Sequence, residues 1–346
     1  MTHAMKTTLV IGSAIGALAL VPQAAMAQEV NLNYDRLSSL EEPIAFDLGE
    51  ITVEVSGLAD VPVVAEFNSH TQDDDIDPGF VGNIQVSAST QLKNRWRVGV
   101  AYFAQYATDD AAVLDAPEDY SDNVAGFIGT SFGTVLGGNV NGQVREITRR
   151  QRGVGNGFLA FDNFYGELDN WGGSYVGRFG PSVLGAVVDE NGDFEMGAVF
   201  QRPIGQKDYR FSARYRHSRF VAADGITEFD SDGVGAVGEL VYGSTIFDVG
   251  AGYERLESVI TDLDRLFLSA GAQTQLGPLR LSGEAHYGRA GGHDETSAAL
   301  GLSYDLARGL LLNLGFNYED AAIESGGVAL VETDEVTAIA SVRFSF

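Results

Sequence analysis

The chain has 346 residues, 45% hydrophobic and 20% charged, with 43 glycines, 8 prolines and no cysteine, and its 48 acids against 22 bases leave a formal charge of -26. Without cysteine there is no disulfide framework and no thiolate metal or redox site, and a charge of this sign opposes any polyanion, which excludes nucleic-acid binding. The apolar and aromatic content is too high for a disordered polyanion, so the chain folds.

Residues 1–27 read as a cleaved secretory signal peptide: Lys6 supplies the basic start, Leu9 to Val21 the apolar stretch and Ala25-Met26-Ala27 the small-x-small cleavage site. That apolar stretch is short of the roughly 20 residues a membrane helix needs. Export without cysteine fits a bacterial envelope protein that needs neither disulfides nor a lipid anchor. Residues 28–48 form an N-terminal segment in which Tyr34-Asp35-Arg36-Leu37-Ser38-Ser39-Leu40-Glu41-Glu42 reads as a short helix. Beyond it the densest apolar runs are Ala186-Val187-Val188 and Leu310-Leu311-Leu312, so the exported chain is either soluble or crosses a membrane as a β-barrel.

From about residue 49 to 346 the pattern has period two. Trp96, Val98, Val100, Tyr102 and Tyr106 alternate with Arg97, Gly99, Ala101, Phe103 and Gln105; Tyr209, Phe211, Ala213 and Tyr215 alternate with Arg210, Ser212, Arg214 and Arg216. The same split recurs at Leu279, Leu281, Ala285 and Tyr287 against Arg280, Ser282, Glu284 and His286, and at Leu310, Leu312, Leu314, Phe316 and Tyr318 against Asn313, Asn317 and Glu319. Short breaks rich in turn residues fall at 92–94, 132–134, 180–181, 203–207, 243–244, 277–278 and 307–309, and longer polar connections at 70–79, 108–122, 140–171, 189–193, 220–233, 257–262, 290–294 and 321–332. Eight long connections and seven short turns join sixteen strands. An even strand number with short turns at one end and long loops at the other predicts an all-β fold, an antiparallel transmembrane barrel. A polar inner face suits a water-filled interior, and tyrosines near strand ends suit the headgroup boundary.

The last strand places Val336, Ala338, Ala340, Val342, Phe344 and the terminal Phe346 on one face. An alternating final strand ending in Phe, together with the leader, the length and the strand count, resembles the general porins of the Gram-negative outer membrane. The resemblance covers residues 49–346 and lies in pattern rather than in one motif. It implies a homotrimer set among outer-membrane lipid and lipopolysaccharide, passing small hydrophilic solutes and ions, with Phe346 read by the barrel-assembly machinery.

The resemblance further implies that the third long loop folds into the lumen and narrows the pore. Here that loop, about 140–171, is the longest, with Arg145, Arg149, Arg150 and Arg152 beside Glu146 in its first arm (net +3) and Asp162, Glu167 and Asp169 in its second (net -3). Opposed charges across a constriction create a transverse field that favours small polar solutes. A solvated surface loop is the other reading. Inward wall candidates are Arg97, Arg178, Arg210, Arg214 and Arg216. The family usually carries a basic residue where the strand before the inward loop ends, whereas this chain has Gly137-Gly138-Asn139. The loop arginines either substitute for that wall or are pins held by loop carboxylates. The acidic total favours mild cation preference; the arginines oppose it.

No cofactor is expected. Asp73-Asp74-Asp75-Ile76-Asp77 in the first long loop offers oxygen ligands for a loosely bound calcium but lacks an EF-hand spacing. An enzyme reading fares poorly. His286 shares its register with Ser282 and Glu284, yet neighbours along one strand face stand about 7 Å apart, too far for direct proton transfer. Gly153-Val154-Gly155-Asn156-Gly157 lacks the strand-to-helix context of a phosphate loop. The alternatives left open are a substrate-specific outer-membrane channel, an exported β-rich adhesin and an outer-membrane hydrolase.

Overall fold

The computed structural model describes residues 43–346 apart from 69–73, 109–118, 140–141, 152, 155–163, 165–167, 169–170, 222–227, 260–261, 292 and 326–327. The leader and the short helix expected around residues 34–42 lie outside the described residues. The strands are β1 (Ile44–Leu48), β2 (Ile51–Asn68), β3 (Asp74–Pro78), β4 (Val81–Gln91), β5 (Arg97–Ala107), β6 (Asp119–Thr130), β7 (Gly133–Asn139), β8 (Trp171–Phe179), β9 (Ser182–Asp189), β10 (Phe194–Ile204), β11 (Lys207–Val221), β12 (Glu228–Tyr242), β13 (Thr245–Glu257), β14 (Asp262–Leu276), β15 (Leu279–Ala290), β16 (His293–Ala307), β17 (Leu310–Ser325) and β18 (Val328–Ser345); helix α1 (Gln143–Thr148) follows β7.

Each strand pairs antiparallel with its sequence neighbour, and β18 pairs with β2 to close the sheet. β3 and β4 lie end to end along β2, broken at Gly79-Phe80, and β1 pairs with the first residues of β2 just beyond the end of β18. The eighteen strands therefore form a closed sixteen-strand barrel. At the seam the terminal residue completes the ladder: Gly57 N–H donates to the Phe346 carbonyl at 2.9 Å and Phe346 N–H to the Gly57 carbonyl at 3.0 Å. The Phe346 ring covers Gly57, where a Cβ would stand only 2.8 Å from it. The seven short turns fall where the sequence places them. The first long connection is shorter than expected, because Asp74–Pro78 pairs with Val63–Phe67 and continues the wall. The acidic run is thus mostly strand backbone rather than loop.

The burial pattern inverts that of a soluble protein. On β13 and β14 the exposed residues include Val249 (64%), Leu266 (58%) and Leu268 (55%), while Asp248, Glu254 and Arg265 are buried at 3% or less. Period two assigns one register to each environment, so apolar side chains line the outer surface and polar ones the lumen. The lumen is not uniformly polar, however. Phe103, Phe127 and Leu136 of β5–β7 form a buried cluster with Val187 of β9 and with Val144 and Leu168 of the third loop. Phe103 shares a register with Arg97 and Gln105, and alternation alone does not show that a loop covers it.

Leu268→Arg on the outward register of β14 should destabilise the barrel by about 2–4 kcal/mol, the cost of a cation at the bilayer midplane. Equilibrium unfolding in bilayers checks this, with Leu268→Ala at the same position as the smaller-effect control.

Candidate functional site

The chain leaves β7 through Gly142, which adopts a left-handed φ of 72°, and enters α1. This one-and-a-half-turn helix cannot be stable in isolation and needs tertiary contacts. Those contacts lie inside the barrel: Val144 and Thr148 are buried, and the helix rests against β9, β10 and β11. Gly185 and Gly197 on the inward registers of β9 and β10 make the seat. A Cβ at Gly185 would stand 2.6 Å from Ile147, and one at Gly197 2.6 Å from both Val144 and Thr148.

Beyond the helix the loop is fastened across the lumen. Arg150 is buried and donates to Asp248 on β13 at 2.5 Å and to Ser269 on β14. Gln151 N–H donates to Glu239 on β12 at 2.6 Å, Gly153 N–H to Gln273 on β14 at 2.9 Å, and Val154 N–H to Ser282 on β15 at 3.4 Å. The returning arm brings Phe164 against Phe267 of β14, with ring centroids 6.2 Å apart, and Leu168 back to the β5–β9 cluster. The described loop residues thus meet the inner wall along β5–β7 and β9–β15.

The sequence-predicted residues divide accordingly. Arg210 is buried, pairs with Glu239 and donates to the Ile147 carbonyl at 2.7 Å. Arg214 and Arg216 flank Glu195 at 3.4 and 3.8 Å and lie over the Phe164 ring at 4.7 and 5.8 Å; Arg216 also donates to the Phe164 carbonyl at 3.4 Å. Arg149 pairs with Glu146 at 3.0 Å. Arg145, Arg149, Arg150 and Arg214 line one pocket between the loop and the β11–β14 wall. Arg97 and Arg178 stand apart from this group. Arg97 pairs with Glu54 at 2.8 Å near the β4–β5 turn, and Arg178 is exposed near the β8–β9 turn. Arg152, Asp162, Glu167 and Asp169 lie outside the described residues.

Among the described residues, a carboxylate that pairs with Arg150 is Asp248, which belongs to the wall rather than to the loop. Asp248, Glu239 and Glu195 are the residues that sequence reasoning passed over. Their signal was present: each is a carboxylate on the inward register of a strand whose other face is apolar. A second inward network, Arg265 between Glu254 at 3.2 Å and Glu295 at 2.8 Å with His286 3.4 Å from Glu295, was missed for the same reason.

Gly129-Thr130-Ser131-Phe132-Gly133 has the spacing of a hydrolase nucleophile elbow, but Ser131 lies in the tight β6–β7 turn between two strands, without the following helix that such an elbow requires. Among the described residues no three metal-ligating side chains converge.

A closed sixteen-strand barrel with a polar lumen crossed by its third loop has a counterpart in sequence comparison: the profile described as Gram-negative porin matches residues 14–322. The chain belongs to the Gram-negative porin family. It is an outer-membrane porin channel and not an enzyme. Among solved structures, this porin is similar to OmpT, an outer membrane protein of Vibrio cholerae in trimer form, with a TM-score of 0.66, 14% identity, and coverage of 86% of this chain and 100% of that one. The anion-selective porin from Comamonas acidovorans gives a TM-score of 0.65 at 15% identity over 86% of this chain and 100% of its own. A mutant porin of Rh. blastica gives 0.57 at 15% identity over 85% and 100%. No curated protein matches significantly by sequence.

Asp248→Ala takes the wall carboxylate away from the buried Arg150, and breaking such a pair costs about 3–5 kcal/mol. The expected relief is detachment of the loop, read as new protease cleavage between residues 150 and 170 while the barrel stays folded.

Proposed function

We propose that this porin is a passive diffusion channel for small hydrophilic solutes and ions, and that its narrowest part lies between the third loop, about 140–171, and the inner wall of β11–β16. The observation that carries the reading is the row of bonds from Arg150, Gln151, Gly153 and Val154 to Asp248, Glu239, Gln273 and Ser282. A loop tied to four successive strands reduces the free cross-section and places its charged groups where a passing solute must meet them. The mechanism needs no chemistry. Solutes small enough to keep part of their hydration shell pass down their gradient, and apolar solutes meet ordered water and fixed charges that they cannot solvate. Arg145, Arg149 and Arg152 together with the acids of the returning arm would supply the transverse field. Assembly as a homotrimer, recognition of Phe346 by the assembly machinery and removal of residues 1–27 complete the proposal; the trimeric form of the Vibrio cholerae relative supports the first of these.

Single-channel recording of refolded protein in a planar bilayer tests it, on wild type and on an Arg145→Ser, Arg149→Ser, Arg152→Ser variant that leaves the Arg150 pin in place. Stepwise conductance is expected, with a reversal potential under a salt gradient that moves towards cations in the variant. A folded, heat-modifiable barrel that carries no current would overturn the diffusion-channel reading. An unmoved reversal potential would remove these arginines from the pore.

Removing Phe346 should leave Gly57 without its seam partners. The expected outcome is slower assembly and a lower yield of heat-modifiable barrel, measured by gel shift during refolding into vesicles.

A further inference from the structure

The outward face is not uniform in charge. Towards the long loops, four tyrosines each donate to an aspartate on the following strand: Tyr102 to Asp122 at 3.0 Å, Tyr215 to Asp232 at 2.5 Å, Tyr253 to Asp264 at 2.5 Å and Tyr287 to Asp294 at 3.0 Å. The turn-side half of the outward register carries no carboxylate on any described barrel strand, and its strand bases are Arg202 and Lys207, both exposed and both on the β10–β11 hairpin. Short turns of such barrels face the periplasm, so these bases stand at the periplasmic boundary of the membrane.

The apolar band is dented beside them. Gly238, cross-strand partner of Phe211 and Val249, has no atom within 4 Å of where a Cβ would stand. Around it Phe200, Tyr209, Phe211, Leu240, Phe247 and Val249 line a groove of about 470 Å³, within the size range of small-ligand sites. Arg202 pairs across the ladder with Tyr209 on the groove's edge and lies two residues from Phe200 on the same face, about 7 Å along the strand.

We propose that this groove and hairpin form a binding site for an anionic phospholipid of the periplasmic leaflet, with an acyl chain over Gly238 and the headgroup phosphate held by Arg202 and Lys207. The groove opens sideways into the hydrocarbon zone, so an alkyl chain is its natural filling. Arg202 offers the planar fork suited to a phosphate, and Lys207 sets its ammonium 5.7 Å from the centre of the Tyr242 ring. A second copy of this chain fits less well. A two-fold contact through this face would set bases against bases, and the turn-side outward face elsewhere offers no strand carboxylate to meet them.

The test uses refolded, delipidated porin in detergent given equimolar phosphatidylglycerol and phosphatidylcholine, with retained lipid counted by native mass spectrometry. Wild type should retain phosphatidylglycerol over phosphatidylcholine by about tenfold, because both lipids offer the phosphate but the choline cation of the second is repelled by the two bases. Arg202→Gln with Lys207→Gln should bring the ratio near one, and Gly238→Leu should lower retention of both lipids. Conductance and heat-modifiability should stay at wild-type levels in both variants, which separates this site from the pore. Equal retention of the two lipids by wild type, or preference unchanged in the double variant, would overturn the proposal. Loss of the oligomer in Gly238→Leu would overturn it too, by making the groove a contact between copies.

Discussion

In the hydrocarbon of a bilayer no water is present to satisfy an unpaired backbone N–H or C=O, and the rest of this structure follows from that constraint. A sheet has two edges, so the edges must meet. Here they meet where β18 pairs with β2, and the terminal Phe346 supplies the last two hydrogen bonds of the seam. Once the sheet is closed, every strand has one face in lipid and one in the lumen, and period two becomes a sorting rule for side chains. Val249, Leu266 and Leu268 belong outside for the same reason that Asp248, Glu254 and Arg265 belong inside.

The third loop is held against the inner wall by two kinds of contact. One is apolar: Val144 and Leu168 settle on Phe103, Phe127 and Leu136, burying surface that would otherwise face lumen water. The other is ionic. Arg150 of the loop pairs with Asp248 of the wall, while the buried wall arginines Arg210 and Arg216, beside Glu239 and Glu195, donate to the loop carbonyls of Ile147 and Phe164. Buried ion pairs contribute little net stability compared with apolar packing, since desolvation offsets most of the attraction. Their value here is positional, because a guanidinium with one matching carboxylate tolerates few alternative places for the loop. The apolar contacts hold the loop inside; the ionic ones determine where.

The outer surface carries its own polarity. Tyrosine–aspartate pairs mark the loop side, and two bases on one hairpin mark the turn side. A chain with charge -26 has few bases to place, and most of the arginines described in the barrel point inward to carboxylates. That makes the outward pair Arg202 and Lys207 a local exception in a predominantly acidic molecule.

Most of the barrel was legible from residue order. Alternation, the seven short turns and the terminal Phe346 are local features, set by the two-residue repeat of a strand and by the backbone needs of a turn, and they yielded the strand number, the register and the inward arginines Arg210, Arg214 and Arg216. The loop was legible as long and charged, but its partners were not. Arg150 and Asp248 are 98 residues apart, and only closure of the sheet sets β13 across the lumen from the end of β7. The same holds for the cluster around Phe103, for the glycine seat at Gly185 and Gly197, and for the groove at Gly238, each built from strands far apart in the chain or from the absence of a side chain. The sequence by itself determined that the chain is a barrel and which face of each strand meets lipid, because those depend on a repeat of two residues. Only the tertiary structure decided which carboxylate holds which arginine, because that depends on where a closed sheet brings distant strands together.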